Sequence, residues 1–551
     1  MVKRVLRVLG WLVLGAVVVA IALFSYVQVV SSTDIPEIVD DDSTGIVQQP
    51  FNGLYTLGDN WFRHSESGLF ELYVEGDPYE RGLANGKLTK GLVEYQEEVF
   101  TDQIHRLVPG TFYLGVLKNF VKWFNRDLTD HIPEEYQQEI YGVAQSASHE
   151  FDEIAPPYQR ILNYHAAHDM GHALQNMSLV GCTSFATWGS RSEDSTLIVG
   201  RNFDFYVGDE FARDKIVAFY KPSNGFGFMM VTFGGMTGVV SGMNDQGLTV
   251  TINAAKSKVP SGSATPVSLV AREILQYATT IQEAYEIARK RKMFVSESFL
   301  IGSAKDHRAS VIEKSVDEID LYEGTGNQII STNHFQGRVL GSTKLNRDHM
   351  ETSASPYRYQ RVAELLSREE KNSVVKTARI LRNQRGLNDK KIGLGNEKLI
   401  NQLVAHHGII FQPEKGLVWI STAPWQLGKF VCYDIRKILS FKPNSNAEVY
   451  ESELTIPADE FIDEAAYKDY LKFSKYRFPF ASRSDMLPDS ITKWNPSSYH
   501  AYMLAGDYHR DHHEWSKAIA SYSKGLSMEV ATVQERTYMR QNLEKCKDAL
   551  K

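Results

Sequence analysis

Gly181-Cys182-Thr183-Ser184-Phe185-Ala186-Thr187-Trp188, followed by the return run Thr196-Leu197-Ile198-Val199-Gly200-Arg201-Asn202-Phe203-Asp204-Phe205, is the stretch on which the fold and the chemistry both turn. Phe185, Thr187 and Trp188 favour extended backbone. Gly189 to Ser195 then supplies turn chemistry before Thr196-Leu197-Ile198-Val199. The pattern predicts a β-hairpin. Antiparallel strands run side by side, so Asn202 and Asp204 at the end of the second strand return to Cys182 at the start of the first.

A thiol attacks as its thiolate and needs a base within hydrogen-bond reach. Cleavage of the Gly181–Cys182 bond would supply one, because a free α-amine titrates near 8. Glycine before the cysteine leaves the attacked carbonyl uncrowded and tolerates a strained turn. Asp204 would orient and charge-balance the new amine. The competing reading is a buried structural cysteine beside an ordinary hairpin.

Other segments favour the chemical reading. Upstream stand Gly76-Asp77-Pro78-Tyr79-Glu80-Arg81-Gly82 and Asn85-Gly86, and downstream Gly242-Met243-Asn244-Asp245-Gln246-Gly247 through Asn253, then Ser331-Thr332-Asn333-His334. Together, over roughly residues 70 to 440, these motifs resemble the acyl-coenzyme A:6-aminopenicillanate acyltransferase (peptidase C45) family of N-terminal-nucleophile (Ntn) hydrolases, relatives of choloylglycine (bile-salt) hydrolases and penicillin V acylases. The resemblance implies a four-layer αββα sandwich, with Cys182 as autocatalytic nucleophile and Gly181 as the last residue released. It implies that Asp204 binds the cysteine's amine, that Arg201 lies near the nucleophile, and that Asn253 and Asn333 surround the oxyanion. Thr183 and Ser184 are candidates to assist self-cleavage through their hydroxyls.

One position departs from the family pattern. Where several relatives carry an arginine, Ala405-His406-His407-Gly408 places a histidine, so His407 is a candidate site residue that can be neutral where an arginine cannot. Metal and disulfide chemistry find little support. The three cysteines, at 182, 432 and 546, form no CxxC pair or zinc spacing. His500, His509, His512 and His513 read as a solvated helix surface more readily than as a metal site. No phosphate-binding GxxxxGK[ST] is present, no cofactor is implied, and a net charge of -7 with mixed signs argues against nucleic acid.

With 551 residues, 43% of them hydrophobic, the chain can bury more than one domain. Lys3, Arg4 and Arg7 precede an uncharged run from Val8 to Thr33, which predicts a transmembrane signal anchor over 1–33 with the catalytic part exported. A signal peptide cut near Ala20-Ile21-Ala22, and hence a secreted protein, is the alternative. An acidic linker is expected over 34–54 and a helical pro-segment retained with the core over 55–181. The catalytic domain follows over 182–445 with alternating blocks of strands and helices, an α+β pattern. A connecting region over 446–495 leads to a tetratricopeptide-like helical tail over 496–551 that packs on the catalytic domain or meets a protein partner. The activity expected is hydrolysis of a linear N-acyl amide in a small-molecule substrate through an acyl-enzyme. Acyl transfer to an amine, a tethered lipid amidase and a catalytically silent scaffold are the rivals.

Overall fold

Runs of β-branched and aromatic residues separated by turn signals become two sheets. The computed structural model describes residues 2–31, 33–38, 45–108, 110–174, 181–206, 208–258, 262–368, 370–443, 445, 447–478 and 483–551. In chain order the strands are β1 (Gln48–Phe51), β2 (Leu54–Leu57), β3 (Asn60–His64), β4 (Phe70–Gly76), β5 (Thr183–Thr187), β6 (Ile198–Phe203), β7 (Ile216–Pro222), β8 (Phe228–Thr232) and β9 (Ser241–Asn244). There follow β10 (Leu248–Ala254), β11 (Glu297–Ser303), β12 (Arg308–Lys314), β13 (Ile319–Glu323), β14 (Gln328–Ser331), β15 (His407–Gln412), β16 (Leu417–Ser421) and β17 (Phe430–Asp434). The large sheet runs β1-β2-β3-β4-β7-β8-β9-β10-β11-β12-β13, and the small one β14-β5-β6-β15-β16-β17.

Alternation along each strand sorts side chains into three apolar layers. Ala218, Tyr220, Ile252 and Phe299 face the helices Val267–Tyr277 and Ile281–Lys290. Their neighbours Val217, Phe219 and Leu300 turn the other way and pack between the sheets against Val199, Ile409, Phe411 and Val418. On the far side of the small sheet, Phe185, Ile198, Ile410 and Trp419 meet Val362, Leu366, Ala378 and Leu381 of the helices Ser355–Ser367 and Val374–Leu381. The order is therefore helix, sheet, sheet, helix, an α+β arrangement with the αββα layering that the resemblance implies.

Three expectations about the rest of the chain need correction. The helix expected at the start forms, Val2–Val30, but among the described residues no helix is long and apolar enough to cross a membrane. Lys3, Arg4 and Arg7 lie inside this helix, and charges are costly in a bilayer interior. Its far end is tied to the globular body, where Gln159 Nε2 donates to the Ser31 carbonyl at 2.8 Å. The transmembrane anchor over 1–33 is thus overturned, and with it the membrane-tethered, exported location and the membrane as a partner. The signal reading gains no support.

The second correction concerns the segment before Cys182, which does not begin as helix. β2, β3 and β4 occupy its first part, and β4 pairs in parallel with β7 from Phe70↔Ile216 to Gly76↔Pro222. The alternation of Trp61, Phe62, Leu72, Tyr73 and Val74 between buried faces marks these as strands. The acidic run Asp40-Asp41-Asp42-Ser43 lies outside the described residues.

Third, the tail forms the helices Tyr499–Asp511, Trp515–Leu526 and Val533–Leu550, with Ala518 and Tyr522 buried. They make one hairpin and a following helix, the helical tail expected over 496–551, and only the tetratricopeptide label lacks support. The helices Ala465–Arg477 and Pro488–Trp494 precede them, and Tyr470, Phe473, Ile491 and Leu504 pack on Leu403 and Leu427 of the catalytic part.

Candidate active site

The hairpin places the chemistry. β5 pairs with β6 in the register Thr183↔Asn202, and just beyond it the Gly181 N–H donates to the Asp204 carbonyl at 2.9 Å. Cys182 is 1% exposed. Arg201 Nη2 lies 3.8 Å from its Sγ. Burial pushes the Cys182 thiol up to about 11, helped by the Asp204 and Glu297 carboxyls and opposed by Arg201. A thiol at rest, not a thiolate, therefore faces the Gly181–Cys182 bond.

Arg201 is held rigidly. Its Nη1 donates to the Val240 carbonyl at 2.7 Å and to the Ser241 hydroxyl, its Nη2 reaches the Ile252 carbonyl at 2.5 Å, and the guanidinium lies 4.3 Å over the Phe203 ring. Ser241 Oγ also meets His407 Nε2 at 2.8 Å, and His407 Nδ1 lies 2.9 Å from His406 Nδ1. Arg201, Ser241, His407 and His406 thus form one buried hydrogen-bonded chain. Burial holds both rings well below the usual histidine range, and the nearby Arg201 and Lys215 add to the effect. His407 thus buttresses Arg201 as a neutral ring.

A second buried arginine reaches the Gly181–Cys182 bond from another element. Arg358, on the helix Ser355–Ser367, donates through Nη1 to the Gly181 carbonyl at 2.8 Å, the Cys182 carbonyl at 2.5 Å and Thr183 Oγ1 at 3.0 Å. Its Nη2 donates to Asn333 Oδ1 at 2.7 Å. Gln402 Nε2 is a second donor to the Gly181 carbonyl, at 2.7 Å. Neither Arg358 nor Gln402 belongs to a local motif. Only the fold brings them to residue 181.

The two asparagines sit differently from expectation. Asn253 Nδ2 donates to Ser331 O at 3.0 Å and Ser331 Oγ at 3.3 Å, while its Oδ1 accepts from Ser184 at 3.1 Å. Asn333 Nδ2 donates to the Ala254 carbonyl at 2.9 Å. Asn253 thus ties three strands together, and Asn333 holds the Arg358 guanidinium. Asp204 is wholly buried. Its Oδ2 is 3.4 Å from Gln402 Nε2, and its Oδ1 has no hydrogen-bond partner among the described residues. Burial raises this carboxyl to about 7 against the pull of Arg358, Arg201 and Arg477.

The flanking motifs serve the scaffold. Arg81 and Arg272 share the buried Glu139, and Asn85 Nδ2 donates to Tyr220 Oη at 2.9 Å. Asn244 Nδ2 closes the end of the helix Val267–Tyr277 through the Leu275 and Ala278 carbonyls, at 2.9 and 2.8 Å. Among the described residues, one group with metal-ligand chemistry is Glu397, His500 and Glu535, and it is internally paired, with His500 Nε2 2.9 Å from Glu535 Oε1. His509 pairs with Glu514.

Residues 190–399 match the family described as acyl-coenzyme A:6-aminopenicillanic acid acyl-transferase. That match agrees with the resemblance read from the motifs. Arg201, Asp204, Asn253, Asn333 and Arg358 lie inside the matched stretch, and Cys182 just before it. A protein of Archaeoglobus fulgidus named only as uncharacterized is 23% identical over 274 residues, which are 46% of this chain and 44% of that one. Protein dcd1B of Dictyostelium discoideum is 21% identical over 293 residues, 49% of this chain and 54% of its own. The chain spans about half the length of the curated relatives it matches. Among solved structures, the Caenorhabditis elegans ortholog of N-acylethanolamine-hydrolyzing acid amidase is similar at 17% identity and a TM-score of 0.31, covering 42% of this chain and 93% of that one. A mutant conjugated bile acid hydrolase from Clostridium perfringens is similar at 13% identity and a TM-score of 0.33, covering 49% and 95%. The family match supports an enzyme whose general chemistry is acyl transfer.

Proposed function

We propose that this chain is a cysteine Ntn hydrolase that severs its own Gly181–Cys182 bond and then cleaves a linear N-acyl amide. The observation that carries the reading is the buried Asp204 carboxyl beside that bond, with Oδ1 unpartnered. An orphaned acceptor in a dry site costs about 1–3 kcal/mol. The α-ammonium of a freed Cys182 supplies the missing donor and a compensating charge.

In turnover the Cys182 amine, titrating near 8 when unperturbed, takes the thiol proton as Sγ adds to the substrate carbonyl. The proton passes to the leaving amine, and the acyl group stays on sulfur until water, activated by the same amine, releases it. Arg201 stabilises the sulfur's negative charge, Asp204 holds the amine, and Asn333 orients Arg358. Asn253 acts through Ser184. Amide hydrolysis is the simpler reading, needing only water.

Intact mass and N-terminal sequencing test this directly. Purified protein should yield two fragments, the second beginning at Cys182, and Cys182→Ala should yield one chain without turnover. Fragments from Cys182→Ala would assign the cut to another agent.

A further inference from the structure

We infer that Gln402 is a catalytic residue of self-cleavage and that the C-terminal helices hold it in place. The inference rests on the reading of Cys182 as a self-cleaving nucleophile and adds the group that polarises the bond being cut. When Sγ adds to the Gly181 carbonyl carbon, the carbonyl oxygen gathers negative charge. Two donors already touch that oxygen, Gln402 Nε2 at 2.7 Å and Arg358 Nη1 at 2.8 Å. Donors fixed in advance in a water-free site stabilise the developing charge without reorganisation.

The step balances within the chain. An Sγ–C bond forms as the C–N bond to Cys182 breaks, and the thiol proton goes to the departing nitrogen. Water then splits the thioester, giving Gly181 its carboxyl and returning a proton to sulfur. Gln402 also explains residue 181 itself. A Cβ built on Gly181 would stand 2.4 Å from Gln402 Nε2 and 2.6 Å from its Oε1, so the approach of the amide requires glycine.

What fixes Gln402 lies in the last hundred residues of the chain. Arg477, on the helix Ala465–Arg477, donates through Nη1 to the Gln402 main-chain carbonyl at 3.3 Å and through Nη2 to Glu397 at 2.9 Å. Tyr499 Oη donates to the other Glu397 oxygen at 3.0 Å. The next residue, Leu403, is a non-glycine at φ 55° and 1% exposed, packed among Leu427, Tyr470, Phe473, Ile491 and Leu504. A left-handed leucine persists only where its surroundings dictate the backbone. Here the C-terminal helices are those surroundings.

The test follows fragment appearance in freshly purified full-length protein by intact mass, with thermal unfolding as a check on folding. Gln402→Met keeps length but removes the donor, and Gln402→Glu replaces it with an acceptor. Each should slow cleavage about a hundredfold, the loss typical of one oxyanion donor. Arg477→Met should slow it in the same direction, with partial rescue by Arg477→Lys, which keeps a donor toward the Gln402 carbonyl. A wild-type chain that never cleaves overturns the self-cleaving reading itself. A cleaving wild type alongside either folded Gln402 variant at the same rate overturns the role of Gln402 alone, and an Arg477→Met or Arg477→Lys result contrary to expectation overturns the clamp.

Discussion

At the scale of single residues, the site is a contest between burial and charge. Burial raises the Cys182 thiol, and it raises the Asp204 carboxyl to about 7. Asp204→Asn removes the negative partner for the new amine, and since a hydrogen bond to a charged group contributes about 1.5–3 kcal/mol, maturation should slow by at least tenfold with the fold intact. Unchanged kinetics in a fragment time course would remove Asp204 from the site. Glu297 poses the same contest without a role in the reaction. Both of its oxygens are buried without partners, and burial, with Asp169 adding to it, holds the carboxyl well above the usual range. A carboxyl raised on folding favours the native state below its unfolded pKa, and that contribution is lost as pH rises through the folded value. Glu297→Gln should therefore raise the melting temperature more at pH 8 than at pH 5, and a difference independent of pH would mean that Glu297 is not protonated in the fold. The sequence exposed Cys182, Arg201 and Asp204 because one hairpin carries all three. It hid Arg358 and Gln402, which stand about 180 and 220 residues further on and whose arrival at Gly181 depends on how layers stack.

Between elements, helix Pro78–Leu88 lies against helix Glu134–Ala144 with glycine on both sides of the contact. A Cβ on Gly82 would fall 2.0 Å from the Glu139 carbonyl oxygen, one on Gly86 2.8 Å from that of Val143, and one on Gly142 2.5 Å from that of Tyr79. The motif glycines thus admit two helix backbones to close range and let Arg81 reach the buried Glu139. Gly82→Ala forces these helices apart and should cost about 1–3 kcal/mol by denaturant titration. Stability equal to wild type would show that the pair can separate freely. At this scale much was legible. The β5–β6 hairpin, the helical block after residue 266 and the strands of 296–335 all follow from period and punctuation. β2 to β4 did not, because the helices after them dominate the pattern of the region and because β4 pairs with β7, a partner about 146 residues away, on the other side of Gly181–Cys182.

Over the whole molecule, that long-range pairing decides what a cut would do. β1 to β4 come from one side of Gly181–Cys182, and the rest of the large sheet from the other. Seven residues of β4 are in register with β7, and the buried Glu139 receives Arg81 from its own side and Arg272 from the opposite side. The two products should therefore travel together in native gel filtration and part only in denaturant. Separation under native conditions would contradict the shared sheet. A chain threaded through one sheet twice can refold alone, whereas two pieces must first find each other. Severed at Gly181, the protein would trade a concentration-independent way back for a bimolecular one, so its endurance in dilute solution would depend on how slowly it opens.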